Sequence, residues 1–158
     1  MKSELYDTLN RQVLALFEGE TDLIAAMANL SALLNEHLSE INWVGFYLAK
    51  NDELVLGPFQ GKVACVRIPM GRGVCGTAAA ENKIQRIADV HQFKGHIACD
   101  SASNSEIVIP VIQNDKVIAV LDIDSPNFSR FDEQDQNGLE TIVESFEKCL
   151  FAQQMHKI

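Results

Sequence analysis

The sequence predicts an α+β fold, because the spacing of its apolar residues changes twice along the chain. Residues 3–18 and the segment after Asp22 carry apolar side chains every three or four positions, which is typical of amphipathic helices. From Asn42 to Asp124 the period is two, as in strands whose side chains alternate between faces. The helical period returns over residues 131–152. We therefore expect N- and C-terminal helices on one face of a central, mostly antiparallel sheet, with the other face free to form a pocket.

Turn and cap residues set the limits of the predicted elements. Thr21 or Asp22 can cap the second helix through a side-chain oxygen. The pair Asn114-Asp115 predicts the turn of a hairpin. A short helix is expected over residues 74–82. Five or six strands are predicted, and the candidate segments span residues 42–49, 53–56, 62–68, 84–90, 106–113 and 116–124.

Length and charge argue against several classes of function. The 158 residues suit one domain that spans residues 1–158. The net charge of −9 argues against a nucleic-acid partner, because no basic stripe offsets it. No run of about 18 apolar residues is present, and the first residues do not resemble a signal peptide. We therefore expect a cytoplasmic chain with no membrane partner.

The four cysteines do not have the spacing of a zinc-binding motif. Stretches of 9, 23 and 49 residues separate them, and no C-x-x-C pair occurs. Gly71, Gly73 and Gly76 match a dinucleotide-binding motif only in spacing, because no βαβ pattern surrounds them. Cys149, in the last helix, is interpreted as a packing or surface thiol. We therefore expect no bound metal and no cofactor.

The other three cysteines lie in places where a thiol can react. Cys99 lies in a long loop of small polar residues that begins at His91, and such loops are usually functional. Cys99 is either a reactive thiol or an inert one, and His91 and His96 either lower its pKa or lie at the loop surface. Cys75 falls in the first turn of the short helix, where free backbone N–H groups favour a thiolate. Cys65 lies in the third predicted strand.

Two carboxylates occur where the interior of a strand is expected. Asp122 and Asp124 are two positions apart, so they share one face with Val120 and Ile118. An exposed polar face would explain the acids without any function. The apolar neighbours favour a covered face instead, and buried acids need partners. If Glu106 joins them, three carboxyl groups share a site and at least one pKa should rise.

The position of Glu106 depends on the register of the hairpin. A strict two-residue turn at Asn114-Asp115 pairs Glu106 with Ile123, so its side chain would point away from the aspartates. A bulge or a three-residue loop shifts the pairing by one and places Glu106 opposite Asp124. The three acids therefore act together only if the hairpin contains such an irregularity.

Six short motifs extend along nearly the whole chain, from about Leu5 to Leu150. They read Asn-Trp-Val-Gly-Phe-Tyr, Gln-Gly-Lys-Val-Ala-Cys, Gly-Arg-Gly-Val-Cys-Gly-Thr-Ala, His-Ile-Ala-Cys-Asp, Ser-Glu-Ile-Val-Ile-Pro and Leu-Asp-Ile-Asp-Ser. Together they resemble the GAF-domain free methionine-(R)-sulfoxide reductases. Many GAF domains share the order of helices and strands, but few carry these three cysteines with these three acids. The resemblance implies a single GAF-like domain and an oxidoreductase activity without a cofactor.

The resemblance also implies a role for each candidate residue. Cys99 would be the nucleophile, Cys65 the resolving thiol, and Cys75 an assisting or alternative resolving thiol. The acids that hold and polarise the substrate would be Glu106, Asp122 and Asp124. Trp43 and Tyr47 would form the aromatic wall of the pocket. The implied reaction reduces free methionine-(R)-sulfoxide through a Cys99 sulfenic acid and a Cys65–Cys99 disulfide, which a thioredoxin-type dithiol then reduces.

Two other classes of function remain open at this point. A non-catalytic GAF sensor would bind a small ligand without needing Cys65 and Cys99 together. A thiol redox sensor or peroxide scavenger would use both thiols but not the acids. The amphipathic first and last helices favour a homodimer, since they can pair across a two-fold axis.

Overall fold

The computed structural model of the chain describes residues 1–97 and 102–151. These residues form four α-helices, one 3₁₀ helix over Val90–Gln92 and six strands. The α-helices are α1 (Lys2–Phe17), α2 (Leu23–His37), α3 (Gly73–Glu81) and α4 (Glu133–Phe151). The strands are β1 (Trp43–Lys50), β2 (Glu53–Gly61), β3 (Arg67–Pro69), β4 (Gln85–Ile87), β5 (Ser105–Gln113) and β6 (Lys116–Ser125). They form one antiparallel sheet in the order β3-β2-β1-β6-β5-β4.

The main core lies between one face of this sheet and the helices α1, α2 and α4. Asp22 begins α2 by accepting a hydrogen bond from the backbone N–H of Ala25 at 2.9 Å, which confirms one of the two predicted caps. The apolar stripes of the helices meet alternate residues of β1, β5 and β6, and Met27 is among the fully buried side chains. This packing confirms the predicted α+β fold with the terminal helices on one face.

The other face of the sheet carries a second, smaller apolar cluster and the short helix α3. Alternation along β1 places Trp43 and Tyr47 in this cluster, whereas Val44 and Phe46 belong to the main core. α3 packs over the sheet here, so its residue Cys75 joins the same cluster. A cavity lies between α3 and the strands. The expectation of a pocket on the face opposite the terminal helices is therefore confirmed.

The β5–β6 hairpin contains the irregularity on which the predicted acid cluster depends. Gln113 pairs with Lys116 across the Asn114-Asp115 turn, but the register shifts by one between Val111 and Ile112. Beyond this bulge Glu106 pairs with Asp124. The bulge also places Ile118 against the main core, so the expectation that it shares the face of the acids is wrong.

Two predicted strands are shorter in the structure. The third covers only Arg67–Pro69 instead of 62–68, because the chain leaves the sheet after Gly61. Gly61 has a φ of +142°, and a Cβ on it would lie 2.6 Å from Cδ1 of Trp43, so a larger residue would not fit. The fourth predicted strand, 84–90, is reduced to Gln85–Ile87 and followed by the 3₁₀ helix. Residues 62–66 therefore form an irregular segment beside Trp43.

No helix in the described part of the chain is long and apolar enough to cross a membrane. The extent of the domain over 1–158 and the cytoplasmic location stay predictions. The homodimer also stays a prediction.

A buried acid ties α1 to the start of α4. Asp135 is 1% exposed and accepts hydrogen bonds from the Tyr6 hydroxyl and from Lys2 Nζ, both at 2.7 Å. Arg130 approaches the same carboxylate at 3.3 Å, and the backbone N–H of Asp132 donates to it at 2.9 Å. Since both carboxylate oxygens have partners, the charge is compensated and stabilises this end of the core.

We expect Asp135→Asn to lower the free energy of unfolding by about 3 kcal/mol, because it leaves the largely buried guanidinium of Arg130 with only the exposed carboxylate of Glu40, at 4.0 Å. Asp132→Asn is the matched control, since Asp132 pairs with the same Lys2 but its side chain is 53% exposed. Its effect should stay below about 1 kcal/mol. Urea unfolding of both variants measures the difference, and equal losses would contradict a special role for Asp135.

Candidate active site

Three carboxyl groups meet on the cavity side of the sheet. Glu106 on β5 and Asp124 on β6 are paired residues, and Asp122 is two positions before Asp124 on the same face. Their exposed fractions are 6%, 9% and 5%, respectively. The alternative in which Asp122 and Asp124 form an exposed polar face is therefore wrong. The structure places the three acids together as the shifted register predicts.

The helix α3 brings a thiol to this cluster. Cys75, in its first turn, is buried, and its Sγ lies 3.8 Å from Oε2 of Glu106. The Sγ of Cys75 and carboxylate oxygens of Glu106 and Asp122 all lie within 4.8 Å of one another. Gly76 lets α3 pack closely on the chain that precedes it, because a Cβ there would be 2.5 Å from the carbonyl oxygen of Pro69. Sequence spacing alone did not indicate that Cys75 touches the acids.

Burial and mutual repulsion determine where protons reside in the cluster. Burial raises the pKa of Glu106 well above its usual value, and the charges of Asp122 and Asp124 raise it further. Burial also raises the pKa of Asp122, but hydrogen bonds from Glu106 and Cys75 oppose this rise. Glu106 therefore holds its proton more firmly than Asp122 does, because burial and the neighbouring charges both act in the same direction on it.

The expectation that helix geometry favours a Cys75 thiolate is wrong. Burial raises the pKa of the Cys75 thiol well above its usual value, and the charges of Asp122 and Glu106 add to the effect. These terms outweigh the partial positive charge at the start of α3, which favours an anion by only about 0.3–1 kcal/mol at exposed sites. Cys75 is therefore a protonated thiol in this environment.

Two aromatic side chains of β1 line the cavity and hold the irregular segment 62–66. Trp43 and Tyr47 are stacked, with ring centroids 5.9 Å apart, and Phe59 of β2 stacks on the other side of Trp43 at 5.1 Å. The indole N–H of Trp43 donates to the carbonyl of Lys62 at 3.1 Å. The hydroxyl of Tyr47 donates to the carbonyl of Cys65 at 2.9 Å. These side-chain bonds hold a segment that largely lacks strand pairing.

The cysteines differ in their bonding state. Cys65 is disulfide-bonded, whereas Cys75 and Cys149 are free thiols. Cys149 is half-buried against the main core, as expected of a packing thiol. Cys99, the predicted nucleophile, lies outside the described residues, so its role stays a prediction.

The two loop histidines have different surroundings. His91 has a largely exposed side chain that pairs with Asp89 at 2.8 Å, which fits a loop-surface residue. His96 lines the cavity, and partial burial lowers its pKa. Their positions near Cys99 in the sequence did not show which of the two histidines lies at the surface and which lines the cavity.

The cavity between these elements has a volume of about 40 Å³. Trp43, Tyr47, Cys75 and the three acids contribute to its wall. The wall residues that sequence reasoning missed include Ala64, Ile68, Arg72, Gly73, Ile97 and Ser103. The glycine-rich run from 71 to 76 was the available signal for Arg72 and Gly73, because it indicated a tight loop entering α3. The other missed residues had no such signal.

The GAF domain model matches residues 20–148 of this chain. A free methionine-R-sulfoxide reductase from Escherichia coli is 61% identical over 149 residues, which cover 94% of this chain and 90% of the relative. The chain belongs to the GAF-domain family of free methionine-R-sulfoxide reductases. This membership confirms the resemblance drawn from the six motifs.

Solved structures of the reductase family share the fold closely. A Staphylococcus aureus structure described as fRMsr in its reduced form is 58% identical, covers 92% of this chain and 94% of its own, and has a TM-score of 0.90. The free methionine-R-sulfoxide reductase of Neisseria meningitidis, solved in complex with its substrate, is 43% identical. It covers 98% of this chain and 93% of its own, with a TM-score of 0.93. The GAF fold with its curled antiparallel sheet is thus common to this reductase chain and to these structures.

We expect Glu106→Gln to make the folded protein more stable at neutral and alkaline pH. Because the pKa of Glu106 is raised on folding, its favourable contribution is complete below the ordinary pKa of a glutamate and is lost as the pH rises toward the folded value. Glutamine can donate a similar hydrogen bond and never ionises. The advantage of the variant should grow by up to about 1.4 kcal/mol per pH unit above about pH 5.

Urea unfolding at a series of pH values, with the disulfide intact, measures this difference. The matched control is Glu144→Gln, an exposed acid on α4, for which no such growth is expected. A Glu106→Gln curve that stays parallel to wild type across the pH range would contradict a raised pKa at Glu106.

Proposed function

We propose that the protein reduces free methionine-(R)-sulfoxide to methionine at this cavity, with Cys99 as the nucleophile. One observation carries the proposal: Glu106, a buried carboxyl group whose pKa is raised, lies beside Asp122 in the wall of a cavity next to the segment of disulfide-bonded Cys65. A proton donor, an anion for an ammonium group and a redox-active thiol are the groups that this reaction needs. The names of the family members support the substrate.

The first step transfers oxygen from the substrate to the enzyme. The Cys99 sulfur attacks the sulfoxide sulfur while Glu106 donates its proton to the sulfoxide oxygen. The attack forms an S–S bond in a sulfurane that carries the protonated oxygen as a hydroxyl group. The S–O and S–S bonds of the sulfurane then break as the hydroxyl passes to the Cys99 sulfur, so methionine leaves and Cys99 becomes a sulfenic acid. Among the acids, Glu106 is assigned this role because burial and the charges of Asp122 and Asp124 raise its pKa well above its usual value.

The second step closes a disulfide and releases water. The Cys65 sulfur attacks the Cys99 sulfenic acid, whose hydroxyl leaves as water, and an external dithiol of the thioredoxin type then reduces the disulfide. The bonding states of the described cysteines are consistent with this assignment, because Cys65 is disulfide-bonded while Cys75 and Cys149 are free. Cys75 would then assist the acids and would not act as the main resolving thiol.

The acids also explain a preference for the free amino acid. An ionised Asp122 or Asp124 can pair with the α-ammonium group, which a methionine inside a peptide lacks. The substrate methyl group would lie against the ring of Trp43. The R configuration would then direct the sulfoxide oxygen toward Glu106. These contacts require a cavity larger than about 40 Å³, so we propose that substrate binds to the reduced form.

The proposal is tested by NADPH oxidation coupled through thioredoxin and its reductase. Free L-methionine-(R)-sulfoxide, the S epimer, a peptide-bound sulfoxide and hydrogen peroxide serve as separate substrates for wild type and Cys99→Ser. Turnover of the free R epimer alone, reduced to background in the variant, is expected. Turnover of peroxide alone would favour a thiol redox sensor, and no turnover by fully reduced wild type would favour a non-catalytic GAF sensor.

We also expect Tyr47→Phe to slow the recycling step while the first turnover proceeds. The variant keeps the ring but loses the hydrogen bond that holds the carbonyl of Cys65, so the resolving thiol is less well positioned. Misplacement of a reacting group costs roughly tenfold to a hundredfold in rate. Quench-flow measurement should give an unchanged burst of one methionine per enzyme and a slower disulfide formation.

Tyr6→Phe is the matched control, because its hydroxyl binds Asp135 at the opposite side of the sheet. It should lower stability without changing either step. A Tyr47→Phe variant that forms its disulfide as fast as wild type would show that the hydroxyl does not position Cys65.

A further inference from the structure

We propose that Cys75, Glu106 and Asp122 form a binding site for a divalent cation of the zinc type when Cys65 is disulfide-bonded. One thiol and two carboxyl groups from three separate elements converge here, and all three residues are buried. A thiolate with two carboxylates is a ligand set that Zn²⁺ accepts, and binding would release the protons that Cys75 and Glu106 carry in the metal-free site. The sequence gave no hint of this set, since its members lie 31 and 16 positions apart.

The distances suit a tetrahedral ion. Zn²⁺ binds sulfur at about 2.3 Å and carboxylate oxygen at about 2.0 Å, so a tetrahedral sulfur–oxygen edge is roughly 3.5 Å. Cys75 Sγ and Glu106 Oε2 are 3.8 Å apart, and all three ligand atoms lie within 4.8 Å of one another. Bringing all three atoms to bonding distance would shorten the Cys75–Glu106 separation by about 0.3 Å and the wider separations by up to about 1.5 Å. The fourth position would face the cavity and take a water molecule.

An unpartnered oxygen independently points to a ligand. Oδ1 of Asp122 is fully buried and has no hydrogen-bond partner in the described parts of the chain, while the residue lines the cavity. A buried carboxylate oxygen without a partner is costly, because it has lost its hydration. A cation in the cavity would supply the missing interaction. It would also relieve the repulsion that raises the pKa of Glu106 and of Cys75.

The size of the cavity favours an ion over an amino acid in this state. A cavity needs about 10–15 Å³ to hold one water, so a volume of about 40 Å³ accommodates an ion with one or two waters. Pockets for small organic ligands usually exceed about 300 Å³. The cation would therefore occupy the disulfide form. It would have to leave before the next sulfoxide binds, and this consequence alone rests on the proposed function.

The chemistry of the ligands selects among cations. Thiolate sulfur is a soft ligand that Zn²⁺ and Co²⁺ accept, whereas Mg²⁺ and Ca²⁺ require oxygen ligands in larger number. Mg²⁺ therefore serves as a charge-matched negative control.

The test is a titration of the full-length disulfide form with Co²⁺ in the absence of thiols and of sulfoxide. Cys149→Ala removes the other free thiol on α4, and thiol titration first confirms that one free thiol remains. Co²⁺ bound to Cys75 should then produce a sulfur-to-cobalt absorption band in the near ultraviolet. It should also quench the fluorescence of Trp43, the single tryptophan, which lines the cavity. Competition with Zn²⁺ gives the zinc affinity.

Adding Cys75→Ser to this background should abolish the band and weaken Zn²⁺ binding by more than about 100-fold, since outer-shell changes alone cost 10–100-fold. Asp122→Asn should keep the band but weaken binding at least about tenfold. Mg²⁺ should not compete. The proposal is overturned if the band is absent, if it survives Cys75→Ser, or if Asp122→Asn binds as tightly as the background protein. Because no sulfoxide is present, each result is independent of reductase activity.

Discussion

Burial of three carboxyl groups on one face of the sheet is the constraint on which the site depends. A β-bulge near the Asn114-Asp115 turn shifts the register so that Glu106 lies opposite Asp124. Ionised carboxylates repel one another strongly where water is excluded, so the cluster is stable only if at least one of its members keeps a proton. Burial and the charges of Asp122 and Asp124 raise the pKa of Glu106, which favours Glu106 as the protonated member. The raised pKa of Glu106 thus follows from packing, without any unusual residue.

The face of the sheet that carries the acids also contacts Cys75 and the segment that contains Cys65. α3 rests on the acids through Cys75, while Trp43 and Tyr47 hold the segment that carries Cys65 through two hydrogen bonds. Because that segment is mostly outside the sheet, its position depends on these side chains and not on strand pairing. Segments held mainly by a few side-chain hydrogen bonds are among the parts of a fold that open locally at low free energy. The main core on the opposite face, including the Asp135 network, supplies the stability that the crowded acids do not.

The sequence predicted the scaffold better than the details of the site. The apolar residues of helices α1, α2 and α4 and of the hairpin recur with a strong period, and this pattern was sufficient to predict these elements. The pairing of Glu106 with Asp124 could be predicted only for a hairpin that contains a bulge, because the alternation of apolar and polar residues does not show whether a bulge is present. The departure of residues 62–66 from the sheet was missed, because the apolar alternation over residues 62–68 does not show where strand pairing begins. The Cys75 thiolate was wrongly expected because the sequence showed the start of the helix but not the acids beneath it.

The most direct test of this account is the protonation state of Glu106 near neutral pH. Infrared difference spectra between wild type and Glu106→Gln, recorded across a pH series, report a protonated carboxyl group through its C=O stretching band. The account predicts that wild type shows this band near neutral pH, that the variant lacks it, and that alkaline titration removes it. The absence of a protonated carboxyl band in wild type at neutral pH would contradict the assignment of Glu106 as the proton donor.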